Sequence, residues 1–326
     1  MATRILEILP SQLYQITLPL PFELEQVNVH AMRLNEGWML VDTGFGNSLS
    51  FELLEESLAE LEIPWTDVRS LLLTHLHPDH IGNISRISAL AKPRLYMHEA
   101  EAAYLNEMVY GGKPSWFEPL HVAAGTDRAR IAEIDQAFAM MRHKLQRVNP
   151  DVSLRGGETI ETAFGPLEVI WTPGHSPGHV CLYSRGHRLL FSADTILEDI
   201  TPNIAWIDGQ DALGDFLTSL RRLAEYDVDR VLPSHGMPFT GHRAWITETS
   251  AHHEDRCQLI ASGMDGGGWH TAHSLIKAVW DREFSNFHYH FAVGEILAHL
   301  AYMERLGRTT SRLRSDEALE WRNNSL

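Results

Sequence analysis

The sequence predicts a layered α/β protein, with helices covering sheets, followed by a helical C-terminal segment. Three observations carry this expectation. Short apolar, β-rich runs recur through the first ~235 residues, most of them bounded by turn or polar residues, as strands require. Between some of them, apolar residues repeat at helical spacing, which suits helices lying on sheets. From about Trp245 the strand signals stop. A length of 326 residues allows two domains, and the boundary is placed at 1–244 and 245–326.

Taken in order, the strand runs include Trp38–Val41, Leu71–Thr74, Leu95–Met97, Leu167–Trp171, Val180–Tyr183, Leu189–Phe191 and Val231–Leu232. Phe51, Leu54, Leu58 and Leu61 mark one helix face, and Leu213, Phe216, Leu217, Leu220 and Leu223 mark another. An insert at about 100–150 differs in character. Ile131, Ile134, Phe138, Met141, Leu145 and Val148 repeat at helical spacing after an expected N-cap at Thr126. Ahead of them, Tyr104, Met108, Tyr110, Trp116 and Phe117 surround Gly111-Gly112. This insert is read either as a helical hairpin packed on the core or as a lid over a ligand pocket. Helices are then expected at about 245–263, 271–281 and 288–306, the last closed by Gly307, with a hairpin over Thr309–Trp321.

Composition narrows the function classes. The 44% apolar and 21% charged fractions are those of a globular protein, and the net charge is −16. An acidic chain is a poor neutraliser of phosphates, so nucleic acid is not expected as a partner. Three helices and a hairpin look like a winged-helix module. The tail, however, has eight basic against eleven acidic residues from 245 onward, so packing or a homodimer contact is expected of it instead of DNA binding. Cys181 and Cys257 fit no disulfide framework and no cysteine-based zinc spacing. No apolar run reaches 18 residues, and Met1–Phe22 lacks the pattern of a signal peptide, so a cytoplasmic location is expected, without a membrane.

The chemistry is concentrated at the predicted strand ends. Thr74-His75-Leu76-His77-Pro78-Asp79-His80-Ile81-Gly82 directly follows one apolar run. It sets four potential ligands within six residues where a strand becomes a loop, a donor set suited to zinc or a similar divalent ion. Thr172-Pro173-Gly174-His175, Ser192-Ala193-Asp194-Thr195 and Pro233-Ser234-His235-Gly236 follow three other runs. Each presents a ligand beside a turn, most of them shaped by Gly or Pro.

With these motifs, and with Val41-Asp42-Thr43-Gly44 after an early strand, residues 15–240 resemble the metallo-β-lactamase superfamily. The resemblance implies an αββα sandwich with a metal site between the sheets at one edge. It implies that His75, His77 and His175 hold one metal, that Asp79, His80 and His235 hold a second, and that Asp194 bridges both. Asp42 would orient ligands by hydrogen bonds, and His179 would be structural. The full ligand set points to the binuclear branch, away from the diiron redox and sulfur dioxygenase branches. Two divalent ions per chain are therefore expected, zinc first and iron or manganese next.

The expected function is a hydrolase in which a metal-bridging hydroxide attacks a small ester-type substrate: a carboxylic ester, a thioester or a lactone. Asp79 would also handle the proton. Leu197 stands where quorum-signal lactonases of this fold place a Tyr. Ser234-His235-Gly236 departs from the last motif of glyoxalase II-type thioesterases and looks more like the branch with a winged-helix-like tail. Tyr104, Met108, Trp116, Phe117 and Leu197 are the expected pocket residues. The alternatives are a phosphodiesterase, phosphotriesterase or endoribonuclease-type hydrolase, and a non-catalytic metabolite sensor.

Overall fold

The structure is a computed structural model that describes residues 4–111, 117–142, 145–264 and 266–324. Strands β1 (Ile5–Leu9), β2 (Leu13–Pro19), β3 (Gln26–Arg33) and β4 (Trp38–Val41) form an antiparallel meander. After helix α1 (Ser48–Glu60), β5 (Val68–Leu72) joins β4 in parallel. Helices α2 (Pro78–Ile81) and α3 (Ile84–Ala91) lead to β6 (Arg94–His98), again parallel. Helices α4 (Glu99–Tyr110), α5 (Glu118–Ala123) and α6 (Arg128–Arg142) precede β7 (Val152–Leu154), which completes a seven-stranded sheet in chain order.

The second sheet contains β8 (Thr159–Thr162), β9 (Gly165–Trp171), β10 (Val180–Ser184) and β11 (Leu189–Ala193), all antiparallel neighbours. Helix α7 (Ala212–Ala224) then brings β12 (Arg230–Pro233) parallel to β11. The tail is α8 (His242–Ser262), α9 (Ala272–Val279), α10 (Asn286–Arg305) and a hairpin, β13 (Thr309–Leu313) with β14 (Leu319–Asn323).

Alternation along the strands builds the layers. Met39, Val41 and Leu72 meet Val169, Leu182, Phe191 and Leu232 in the layer between the sheets. Their neighbours Leu40, Leu71 and Leu73 point the other way, into the layer beside α1, α3 and α4. On the second sheet, Ile170, Cys181, Leu190 and Val231 face α7 and α8. Both faces of each central strand are buried, so these strands read as unbroken apolar runs instead of alternating ones. The result is an αββα sandwich. Cys181 and Cys257 are both buried and free.

The insert divides between two cores. Helix α4 packs on the first sheet through Ala102 and Leu105. Helices α5 and α6 contribute Leu120, Ile134 and Phe138 to a core shared with α8, α9 and α10. Helix α6 is capped by Asp127, whose Oδ1 accepts from the Arg130 amide at 3.0 Å, and not by Thr126 as expected. Thr126 instead hydrogen-bonds the Tyr289 hydroxyl at 2.8 Å. The start of α10 also reaches the β2–β3 loop, where Phe287 stacks on Phe22 at 6.0 Å and His288 contacts Glu23 at 3.1 Å.

Histidines of the tail that carried no pattern in the sequence are used as buried polar pairs. His253 Nδ1 lies 3.1 Å from His299 Nε2, and His299 Nδ1 donates to the Glu295 carbonyl at 2.7 Å. His121 Nε2 lies 3.0 Å from His290 Nδ1. Burial pulls the pKa of His253 and His290 down to about 3, and that of His121 and His299 to about 4. Below the ordinary value of 6.5 the unfolded chain therefore takes up more protons than the folded one. The stability these pairs support is complete above pH 6.5 and is lost as pH falls toward 3–4, by about 1.4 kcal/mol per pH unit per group at most. We expect Tm, measured in EDTA, to fall between pH 7 and 5. The double variant His253→Leu/His299→Leu should lose part of that slope, and a variant as acid-sensitive as the parent would contradict the assignment.

Candidate metal centre

The site lies where β4, β5, β9, β11 and β12 all end, at one edge of the sandwich. Past β5 the chain runs through Thr74, His75, Leu76 and His77, and Pro78 then opens the single turn of α2, which carries Asp79 and His80. The β9–β10 loop brings His175, β11 leads directly to Asp194, and β12 leads to His235. Gly174, at φ +132°, lets the His175 loop lie directly against Phe216 of α7, where a side chain would collide with the helix backbone.

All seven residues expected as ligands come together, in two groups. His75, His77, His175 and Asp194 form one, and Asp79, His80 and His235 form the other; within each, the candidate donor atoms lie within 4.8 Å of one another. Asp194 spans both. Its Oδ2 is 3.7 Å from His75 Nε2 and 3.5 Å from His175 Nε2, while its Oδ1 is 3.6 Å from His80 Nε2 and 3.4 Å from His235 Nε2. Asp79 Oδ2 lies 3.6 Å from His80 Nε2 and 3.5 Å from His235 Nε2. Such separations are long for hydrogen bonds, but they match donors sharing one cation, about 3.4 Å apart for bonds of ~2.1 Å.

The far side of each ring explains why. His80 Nδ1 lies 2.8 Å from Asp42 Oδ2, His175 Nδ1 2.9 Å from the Asn203 carbonyl, and His235 Nδ1 2.7 Å from the Gln26 carbonyl. These acceptors require the proton on Nδ1, which leaves an Nε2 lone pair directed inward on each neutral ring. Asp42 also accepts from the Thr74 hydroxyl at 2.8 Å, so Thr74 Oγ1 is free to accept from His75 Nδ1 at 3.0 Å. His80 Nε2, His235 Nε2 and Asp194 Oδ1 are buried with no hydrogen-bond partner among the described residues. Buried acceptors converging without a donor are costly, and a shared cation is what such a set fits.

Protonation follows the same geometry. Burial, with neighbouring histidines, holds His75 well below its ordinary pKa and His77 at about 3, and burial lowers His175. At His80 burial also disfavours the charge, but Asp194, Asp79 and Asp42 outweigh it and hold the pKa well above the ordinary value. His235 is raised for the same reason, by Asp194 and Asp79 acting against burial. Asp194 is held well below the usual carboxylate range, because His235 and His80 overcome its burial. The site already favours positive charge beside Asp194 and Asp79.

Several supporting residues were not singled out from the sequence. Asn28 of β3 donates to the Pro233 and Gly236 carbonyls at 3.0 and 2.9 Å and so holds the His235 loop. The Thr43 hydroxyl donates to the His80 carbonyl at 2.7 Å. His179 joins neither group. Its Nε2 accepts from the Asp194 amide at 3.1 Å, and its Nδ1 faces the Thr172 and Thr195 hydroxyls at 2.8 and 3.1 Å, a structural role. Thr74 and Thr43 stand within the motifs and His179 was expected to be structural, but nothing in the sequence ties Asn28 to the site.

The expected pocket residues do not gather in one place. Tyr104 and Met108 pack against the core beside the first sheet, and Phe117 packs with Phe138 and His290 in the core shared with the tail. Leu197 is buried just past Asp194, and Trp116 lies outside the described residues. An open cleft of about 370 Å³ instead borders the His175 loop, with Trp171, Pro173, Ser176, Gln210 and Arg305 among its walls.

Asp42 orients two rings at once, so Asp42→Asn should misdirect both. We expect metal affinity to fall ~10–100-fold, read by titrating Zn²⁺ into metal-free protein. Unchanged affinity would show that Asp42 does not set the ligand geometry.

Comparison with known proteins agrees with this architecture. The family described as the metallo-beta-lactamase superfamily matches residues 23–235. The chain is 24% identical over 313 residues to a Bacillus subtilis (strain 168) protein named "Probable metallo-hydrolase YqjP", covering 91% of this chain and 93% of that one. It is 27% identical over 227 residues to the human acyl-coenzyme A thioesterase MBLAC2, covering 67% and 76%. Among solved structures, a metallo-beta-lactamase family protein from Thermus thermophilus is 30% identical with a TM-score of 0.83, covering 98% of this chain and 100% of that one. A beta-lactamase domain protein from Burkholderia ambifaria is 26% identical with a TM-score of 0.85, covering 98% and 94%. By sequence match and by fold, the chain belongs to the metallo-β-lactamase superfamily.

Proposed function

We propose that this enzyme is a metal-dependent hydrolase that holds two divalent cations, zinc by preference, and cleaves a small ester-type bond, a thioester before a carboxylic ester or lactone. The observation that carries the metal centre is the set of inward lone pairs on His80, His175 and His235, each imposed by an acceptor behind the ring. His75, His77, His175 and Asp194 Oδ2 would hold one cation, and Asp79, His80, His235 and Asp194 Oδ1 the other. A divalent cation in such a site polarises a substrate carbonyl and makes water acidic near neutral pH. The thioester preference is supported by the likeness to MBLAC2, a protein named for acyl-coenzyme A thioester hydrolysis.

The protein's own part is placement and proton handling. Asp79 keeps more side-chain exposure than Asp194, 18% against 9%, and faces His80 and His235. It is therefore the carboxylate best placed to take a proton from an attacking water and to return it to the leaving group. Asp194 is held ionised by the imidazoles around it and acts as a fixed negative charge, not as a base. With a net charge of −16, a small molecule is a better-matched partner than a nucleic acid. Among the described residues no helix is long and apolar enough to cross a membrane.

Metal analysis of protein purified from metal-supplemented medium should return about two divalent ions per chain. An assay across acyl thioesters, p-nitrophenyl esters, lactones and bis-p-nitrophenyl phosphate should show thioester turnover above phosphodiester turnover. A phosphodiester preference would overturn the substrate class, and a chain that binds no metal would overturn the centre. Because Asp194 serves both groups, Asp194→Ala should lower kcat/KM by ~100-fold or more, on the order of 3 kcal/mol of transition-state stabilisation. Parental kcat/KM in that variant would refute its bridging role.

A further inference from the structure

Glu101, on the first turn of α4, is fully buried, and no ion pair to it is found among the described residues. Its two oxygens diverge. Oε1 accepts from the Leu76 amide at 2.7 Å, and Oε2 accepts from the Gly178 amide at 2.6 Å. Leu76 lies between His75 and His77, and Gly178 lies in the loop that carries His175. One carboxylate thus joins the loop after β5 to the loop after β9, and both loops supply the same metal group. Gly178 has no room for a side chain, since a Cβ there would collide with the Glu101 backbone.

Burying a carboxylate without a cation is costly, and the cost shows in a carboxyl pushed up to about 7 by burial. A neutral amide could not replace it, because only one of its two terminal atoms accepts, whereas both backbone groups here donate. Among side chains, only a carboxylate sets two acceptors on one carbon.

We propose that Glu101 is a positioning residue for the His75–His77–His175 group, its carboxylate setting the distance between the two loops that carry those histidines. The inference rests on the two-cation reading above. Its effect falls mainly on that group, because Leu76 adjoins His75 and His77 directly, whereas His80 lies four residues further on and His235 is on another loop.

The test is Co²⁺ titration of the metal-free full chain, followed by absorption spectroscopy and calorimetry, in Glu101→Gln. His77→Ala and His235→Ala supply the spectra expected when one or the other group is lost. Glu101→Gln should weaken one of two sites ~10–100-fold, keep the other within about threefold, and at low Co²⁺ give the spectrum of His77→Ala. Lost kcat should recover in excess metal. Two sites of parental affinity in a folded Glu101→Gln protein would overturn the proposal, as would a spectrum like that of His235→Ala. If Glu101→Gln does not fold, Glu101→Asp keeps the charge but is too short to reach both amides, and the same selective loss is expected. A parent chain that binds no Co²⁺ at all would instead refute the metal centre on which the inference rests.

Discussion

The structure depends above all on the direction in which a few imidazole rings present their lone pairs. A histidine is a ligand only through the nitrogen without a proton, and the other nitrogen's partner decides which one that is. Here Asp42, Thr74, the Asn203 carbonyl and the Gln26 carbonyl stand behind the rings. Asp42 is the hub, with hydrogen bonds from the Thr74 amide, the Thr74 hydroxyl and the His80 ring. It reaches all three from a left-handed backbone, φ 64°, a conformation that Asp tolerates better than most residues. Its own amide is tied to Leu72 at the end of β5, so the pairing of β4 with β5 sets the tautomers of His75 and His80 in the segment that follows.

The two groups are not equivalent. One offers three nitrogens and one carboxylate oxygen, while the other offers two nitrogens and two carboxylates. Charge follows the same division, with burial lowering the pKa of His75, His77 and His175 on the first side, while Asp194 and Asp79 act against burial to raise those of His80 and His235 on the second. The nitrogen-rich side is the softer donor set and the oxygen-rich side the harder one, so the two groups suit different divalent ions.

Much of the sandwich and every donor at its edge were legible in the sequence, for one shared reason. Strands buried on both faces leave solid apolar runs, and the donors sit directly where those runs stop. The strands that escaped notice were β1, β2, β3, β7 and β8. β2 and β3 bury Gln15, Asn28 and His30, polar residues that break an apolar pattern. Asn28 is buried because it holds the His235 loop, so the feature that hid the strand is the one that serves the site. Glu101 was silent for a different reason. Nothing local marks a glutamate on a helix as the tie between two loops that are about a hundred residues apart in the chain. Four of the five expected pocket residues carry aromatic or sulfur-bearing side chains, which serve a core as readily as a cavity, and Tyr104, Met108 and Phe117 pack in cores.

The division of the insert between two cores has a consequence for how such a chain can be recombined. Helices α5 and α6 bury Leu120, Ile134 and Phe138 against α8–α10, and α10 in turn rests on the loop that precedes Gln26, the acceptor behind His235. Cut at residue 244, the chain would leave those apolar side chains facing water and a ligand-holding loop without its support. The later part of the insert and the C-terminal helices therefore form a single structural part. A chimaera that exchanged one without the other would join two halves of different cores.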